Sequence, residues 1–296
     1  MSKLRTFWNL ATGSRKFVGA LGNNGILNWM RDDKYLELLY KEQMGKKLNL
    51  KNPVSFNEKL QWLKVNDHNE RYFDLVNKIK AKEVVGNIIG KEHIVPIYKI
   101  WDKAELISFE DLPDKFVLKC NHDQGSVVLV DDKKTVDISS IRKSYSKLLK
   151  RSPYPGTREY PYKMIKPAVF AEKYLGGNII DYKFYCFNGE PKFLYCGKGL
   201  TTDHSLKIDF YDMNWELMPF YRTDYGRLGI IPKPLHFELM KDIAKKLSAN
   251  TTFVRIDLFE VDNVVYFSEF TLYPASGFMP FVPEEYDTKL GSWINL

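Results

Sequence analysis

Cysteine is scarce in this chain: three residues, Cys120, Cys186 and Cys196, each inside an apolar, strand-like stretch. The number is odd and no C-x-x-C pair occurs, which argues against a disulfide framework or a cysteine zinc site; three small buried hydrophobes fit better. No run of ~18 apolar residues exists, so no membrane-spanning helix is expected. Polar residues interrupt the apolar ones after Lys3 and Arg5, no signal-peptide core forms, and a cytoplasmic location is the default expectation. Internal repeats and low-complexity segments are also missing. Acidic residues are the minority, 37 against 44 Lys and Arg, for a net charge of +7. The excess favours an anionic partner, such as a nucleotide, an acidic polymer or an anionic membrane leaflet, with a merely solvated basic surface as the competing reading. Because the basic residues are spread along the chain without a recognition motif, nucleic acid is not expected.

What is present describes a globular protein: 296 residues, 44% hydrophobic and 15% aromatic. Residues 1–31 mix Lys3, Arg5, Arg15, Lys16 and Arg31 with Phe7, Trp8, Phe17 and Trp29, a blend that suits either peripheral contact with the inner membrane face or a helical arm packed on its own domain. Residues 1–95 read as mostly helical. In "DDKYLELLYKEQMG", Tyr35, Leu38, Leu39 and Met44 follow the helical period before Gly45. Ser55 with Glu58 three residues on is a capping box, followed by Phe56, Leu60 and Leu63 on one face.

After Pro96 the pattern changes to strand, glycine loop, strand, helix, strand: "KFVLKCN", "SVVLVDD", "DISSIRKSYSKLLKR", "AVFAEKYL". A hairpin turning at Asn188-Gly189 follows, then a weaker one in "KIDFYDMNWELM". An amphipathic helix is expected next, with Leu235, Leu239, Ile243 and Leu247 four apart. The class is α+β with mostly antiparallel strands, divided into a helical region 1–95, a small subdomain 96–171 and a C-terminal subdomain 172–296.

Three pieces bear chemistry. Lys119 sits inside an apolar strand, which is costly unless an anion meets its ammonium group, and Gly125 and Ser126 in the next loop can bring N–H groups to the same anion. An edge-strand lysine before an ordinary turn is the competing structural reading. Glu172 ends an apolar strand, and Asp181 and Lys183, two apart, share a strand face where they form either a ligand contact or an ion pair. The third piece is "VRIDLFEVDNVVYFSEFTLYPASG", two apolar arms that each carry one acid, Asp257 and Glu269. If the hairpin closes through an odd number of loop residues, such as 262–264, the acids stand opposite each other on one face with Arg255; with two loop residues and no bulge they fall on opposite faces. Two paired acids repel unless a divalent cation such as Mg²⁺, or Arg255 acting as a structural neutraliser, lies between them.

Taken in order, the strand lysine, glycine loop, helix, strand ending E-K-Y-L, R-x-D and E-x-T with P-x-x-G resemble the ATP-grasp superfamily. "NPVSFNEKLQWLKVND", "LPDKFVLKCNHDQGS" and "DYKFYCFNGEPKFLY" are similar to its teichuronopeptide-biosynthesis (TupA-like) branch, from about residue 33 to the C-terminus. The resemblance implies an ATP-grasp fold whose two α+β subdomains grip ATP. It implies an ATP-binding set of Lys119, Gln124, Gly125, Ser126, Glu172, Tyr174, Leu175, Asp181 and Lys183. It further implies Mg²⁺ on Asp257, Glu269 and Thr271, and Arg255 as the catalytic cation. Thr271 stands where many members have Asn, and "NKIKAKE" departs from the branch pattern, which weakens a role for Lys78 or Lys80. The implied activity is a carboxylate–amine ligase joining an amino acid or other amine to a uronic acid of a surface polysaccharide. A nucleotide-sugar glycosyltransferase in capsule or cell-wall synthesis is the alternative.

Overall fold

Ser55 starts a helix with a full capping box: its Oγ accepts from the Glu58 amide, and Glu58 Oε2 accepts from the Ser55 amide at 3.1 Å. This computed structural model describes residues 17–123, 125–177, 179–199 and 205–296. The first described part is helical: α1 (Phe17–Asn23), α2 (Asp32–Met44), α3 (Phe56–Asn66), α4 (Arg71–Val76) and α5 (Lys78–Ile89). In α2 the buried stripe is Tyr35, Leu36, Leu39 and Tyr40; Leu38, expected inside, is exposed, because the aromatic pair at 35 and 40 turns the helix toward its own side.

The α3 helix buries two kinds of face. Phe56, Leu60 and Leu63 enter the main core, where Phe56 meets Phe253 edge-on at 5.0 Å. Full burial of such a side chain contributes about 1.5–3 kcal/mol. Asn57, Gln61 and Lys64 are also buried, and they hold the turn at 274–279. Asn57 Nδ2 donates to the Met279 carbonyl at 2.9 Å, and Gln61 Nε2 donates to the Gly277 carbonyl at 2.9 Å. Ala275, Ser276 and Gly277 in that turn all have positive φ, 47°, 52° and 71°, a strained run that the helix holds in place.

Four antiparallel strands form the first sheet, in the order β1 (Ile97–Trp101), β4 (Val169–Lys173), β2 (Phe116–Cys120), β3 (Val128–Val130). Helix α6 (Ile138–Leu148) covers it, burying Tyr145 against Phe116, Leu118 and Val130. Short α7 (Tyr154–Thr157) leads toward β4. The second sheet runs β11 (Val264–Thr271), β10 (Phe253–Val261), β5 (Asp181–Phe187), β6 (Glu190–Lys198), β7 (Lys207–Asp212), β9 (Gly226–Arg227), antiparallel except for β7–β9. A separate pair joins β8 (Tyr221–Arg222) to β12 (Phe281–Val282). Helices α8 (Phe237–Ser248) and α9 (Glu285–Gly291) are the last two α-helices. The mixture is α+β, as expected.

Asn188 (φ 49°) and Gly189 (φ 82°) make the β5–β6 turn. The second expected hairpin is reduced to β7 and one bridge, Tyr211 to Leu217. The α8 stripe is also corrected. Leu235 lies before the helix and is exposed, Leu239 is partly exposed, and Phe237, Met240, Ile243, Ala244 and Leu247 are buried. Phe237 supplies more apolar area than either leucine and sets the helix rotation. All three cysteines are free and buried.

Candidate active site

The β10–β11 hairpin turns through two residues, Asp262 (φ 52°) and Asn263 (φ 61°), with Val261 opposite Val264. Continued without interruption, that register would set Asp257 against Ser268. It does not continue: Leu258 pairs Phe267, whereas Asp257 pairs Glu269. Ser268 is therefore the extra residue of a β-bulge, which returns both acids to one face. The loop length left open by the sequence is thus two residues, and the bulge does what an odd loop would have done.

Cations surround both acids. Asp257 has no solvent exposure; Arg255 Nε and Nη2 each lie 2.6 Å from its oxygens, and Lys183 Nζ donates to Oδ2 at 2.6 Å. Asp181 stands 3.6 Å from Lys183 Nζ. Glu269 Oε2 is 3.3 Å from Lys78 Nζ, and Oε1 is 3.8 Å from Arg255 Nη2. Burial alone would raise the Glu269 carboxyl, but Lys78, Lys183 and Arg255 bring it down to about 2. The repulsion between the acids is thus compensated by Arg255, one of the two means expected for it, with Lys183 and Lys78 added. Arg255 neutralises Asp257 as the structural reading required, while Glu269 remains ionised and faces a cavity. Thr271, expected as a metal ligand, accepts from Arg255 Nη2 at 2.9 Å.

Across from the hairpin, Lys119 Nζ on β2 lies 2.5 Å from Glu172 Oε1 on β4, and Lys82 Nζ on α5 lies 2.9 Å from Oε2. Burial pushes the Glu172 carboxyl up, yet the two ammonium groups more than offset it and hold the carboxyl below its usual range. Gly125 (φ 92°) gives the following loop its left-handed corner. Ser126 Oγ accepts from the Cys120 amide at 3.0 Å and donates to Asp123, and Tyr145 donates to the Ser126 carbonyl. Gln124 lies outside the described residues, as do residues 1–16 and Asn178 of the segment before Asp181.

Between the two sheets is a cavity of about 380 Å³. Among the described residues six cationic side chains line it, Lys78, Lys82, Lys119, Lys183, Arg222 and Arg255, against four carboxylates, Asp123, Glu172, Asp181 and Glu269. Gly125, Ser126 and Ser268 are also in its wall, whereas Tyr174, Leu175, Asp257 and Thr271 are not. Excess positive charge in a concave, partly buried site suits a polyanion such as a phosphate chain. Sequence reasoning missed Lys82 and Arg222 and set Lys78 aside. The spacing held a signal for the first: Lys78 and Lys82 are four apart on α5, among Ile79, Ala81 and Val85. Lys80, in contrast, is exposed and pairs with Glu83.

Among the described residues no group of three or more His, Cys, Asp or Glu side chains could hold a metal. Asp257 and Glu269 offer two hard carboxylates on one face, and Lys78, Lys183 and Arg255 supply the compensating charge that a dication would otherwise bring. Such a donor set fits Mg²⁺ once Arg255 and Lys183 turn from Asp257 to phosphate, with phosphate and water as the remaining ligands. No described helix is long and apolar enough to cross a membrane.

Residues 58–295 match the family model described as TupA-like ATPgrasp. No curated protein matches. Similar solved structures include D-alanine–D-alanine ligase from Bacillus anthracis complexed with ATP, with 16% identity over 75% of this chain and 65% of that one, and a TM-score of 0.46. L-amino acid ligase from Bacillus licheniformis has 13% identity over 90% and 57%, with a TM-score of 0.42. D-alanine–D-alanine ligase from Helicobacter pylori has 17% identity over 75% and 61%, with a TM-score of 0.39. The chain thus spans less than two thirds of the length of each.

Proposed function

Because the chain belongs to the TupA-like ATP-grasp family, we propose that it is an ATP- and Mg²⁺-dependent carboxylate–amine ligase. The observation that carries this reading is the pairing of Asp257 with Glu269 on one hairpin face, beside a cavity lined by six cations. Carboxylates pair with these cations: Glu172 with Lys119, and Asp257 with Lys183 and Arg255. Phosphate oxygens replace them when ATP enters. Lys119 and Lys183 hold the phosphate chain, the loop at Gly125 and Ser126 covers it, and Arg255 faces the phosphoryl group in transfer. Glu172, Tyr174 and Leu175 of the strand end meet the adenine, and Asp181 the ribose. Asp257 and Glu269 would hold Mg²⁺, which when bound offsets charge on the phosphates.

The substrate carboxylate attacks the γ-phosphorus, ADP departs, and an acyl phosphate forms. An amine then attacks the acyl carbon, expelling phosphate and leaving an amide. For the substrates we propose an amino acid or other amine and a uronic acid of a surface polysaccharide, made in the cytoplasm at the inner membrane face. The net charge of +7 supports an acidic glycan. The test is ADP release with a panel of amino acids and acidic glycans. The reading expects release only when a carboxylate and an amine are both supplied. Selective binding of UDP-sugars without ADP release would contradict it and favour a glycosyltransferase.

A further inference from the structure

Beside the phosphate-side cavity lies a second one of about 1220 Å³. The two share Asp123, Gly125, Ser126, Val127 and Ala275, so a ligand in the second borders the place where phosphoryl transfer would occur. We propose that the second cavity admits the amine co-substrate, and that Glu159 binds its ammonium group and takes its proton. The inference rests on the ligase reading above.

The charge distribution argues for it. Six cations against four carboxylates leave the first cavity net positive and disfavour an ammonium group there, so an amine approaches the acyl phosphate from the other side. In the second cavity the one buried charged side chain among the lining residues is Glu159, 5% exposed. The cations there, Lys150 and Arg151, are exposed at the rim. An acid at the inner end and bases at the mouth orient an amine whose far end is anionic, with its nitrogen toward the phosphate.

Glu159 is a built group. Ser276 Oγ donates to its Oε1 at 2.7 Å, and Lys64 Nζ donates to that same hydroxyl at 2.8 Å. The other Lys64 donors go to the Ser276 carbonyl at 2.8 Å and the Thr157 carbonyl at 3.0 Å. Lys64 thus reaches Glu159 through a hydroxyl and leaves the carboxylate room for a second partner. Burial raises the Glu159 carboxyl above its usual range, which makes the carboxylate a better base, and lowers the Lys64 ammonium to about 8. In the step itself one N–H bond of the ammonium breaks and its proton passes to Glu159. The freed nitrogen pair forms the C–N bond, the C–O bond to phosphate breaks, and a remaining N–H proton leaves with the phosphate.

The test titrates free amino acids, and their N-acetyl derivatives as controls, into full-length protein saturated with a non-hydrolysable ATP analogue and Mg²⁺. At least one free amino acid should bind, its N-acetyl form should not, and Glu159→Gln should weaken binding at least ~10-fold, the loss expected for one charge-assisted hydrogen bond. Affinity for the ATP analogue should stay unchanged. The exposed double variant Lys150→Ala, Arg151→Ala, which leaves the buried network intact, should weaken the same amino acid and serves if Glu159→Gln does not fold. Amino-acid binding unchanged in these variants, equal binding of the N-acetyl forms, or no amino-acid binding overturns this inference alone. Failure of the wild type to bind the ATP analogue overturns the ligase reading with it.

Discussion

Lys119 and Glu172 are diagonal neighbours on adjacent strands, and Lys119 Nζ lies 2.5 Å from Glu172 Oε1. The same carboxylate also holds Lys82, which is nearly buried. Glu172→Gln therefore leaves two ammonium groups without their counter-charge, one of them inside the protein. Breaking a buried pair in this way costs about 3–5 kcal/mol. Thermal unfolding of the variant should show a lower Tm by several degrees or more. An unchanged Tm would mean that Lys82 is neutral or solvated.

Lys119→Ala should behave differently. Glu172 keeps Lys82, and Lys119 is partly exposed, so the loss of stability should be smaller than for Glu172→Gln. Nucleotide binding should suffer more: removing one charge-assisted phosphate contact should raise the Kd for ATP about tenfold or more. Titration calorimetry with a parallel melting curve separates the two effects. A large Tm loss with unchanged ATP affinity would make Lys119 purely structural.

Acid should destabilise the protein through Glu269. Its carboxyl is held at about 2 in the folded chain against an ordinary value of 4.5. A group with a depressed folded pKa contributes stability above its unfolded pKa and loses it as pH falls. The contribution is therefore present above about pH 4.5 and disappears toward about pH 2. Acid unfolding of Glu269→Gln, followed by tryptophan fluorescence, should lack that component and start from lower stability at pH 7. A variant as stable as wild type at pH 7 would show that Lys78, Lys183 and Arg255 do not stabilise the ionised acid.

How much of this was legible in the sequence depended on whether the signal was local. The Ser55–Glu58 cap and the Asn188-Gly189 turn are set by a few adjacent residues and were read directly. The bulge at Ser268 was not: the sequence left loop length and bulge open together, because a register shift has no side-chain signature of its own. The buried role of Lys82 depends on a partner 90 positions away, Glu172, which helical periodicity cannot supply. Arg222 enters the cavity wall from a two-residue strand whose pairing with β12 no local pattern announces. The α8 stripe failed for a different reason, since counting leucines overlooked Phe237, which packs face to face with Phe184 at 6.1 Å.

The cysteines should be inert in the folded protein. Cys120, Cys186 and Cys196 are buried and free, and burial pushes the Cys120 and Cys186 thiols up to about 12. A thiol held protonated is a poor nucleophile. Ellman's reagent should label them only after denaturation, and reductant should leave the Tm unchanged. Rapid labelling of native protein would contradict the buried placement of these strands.

The measurement that tests the central claim most directly is calorimetric titration of ATP, with Mg²⁺ and with EDTA, into wild type and Glu269→Gln. The account predicts that the wild type binds ATP more tightly with Mg²⁺ than without. It also predicts that Glu269→Gln, while folded, loses the Mg²⁺-dependent gain and releases no ADP. Equal Mg²⁺ dependence in both proteins, or ADP release by the variant, would contradict the assignment of Asp257 and Glu269 as the metal pair.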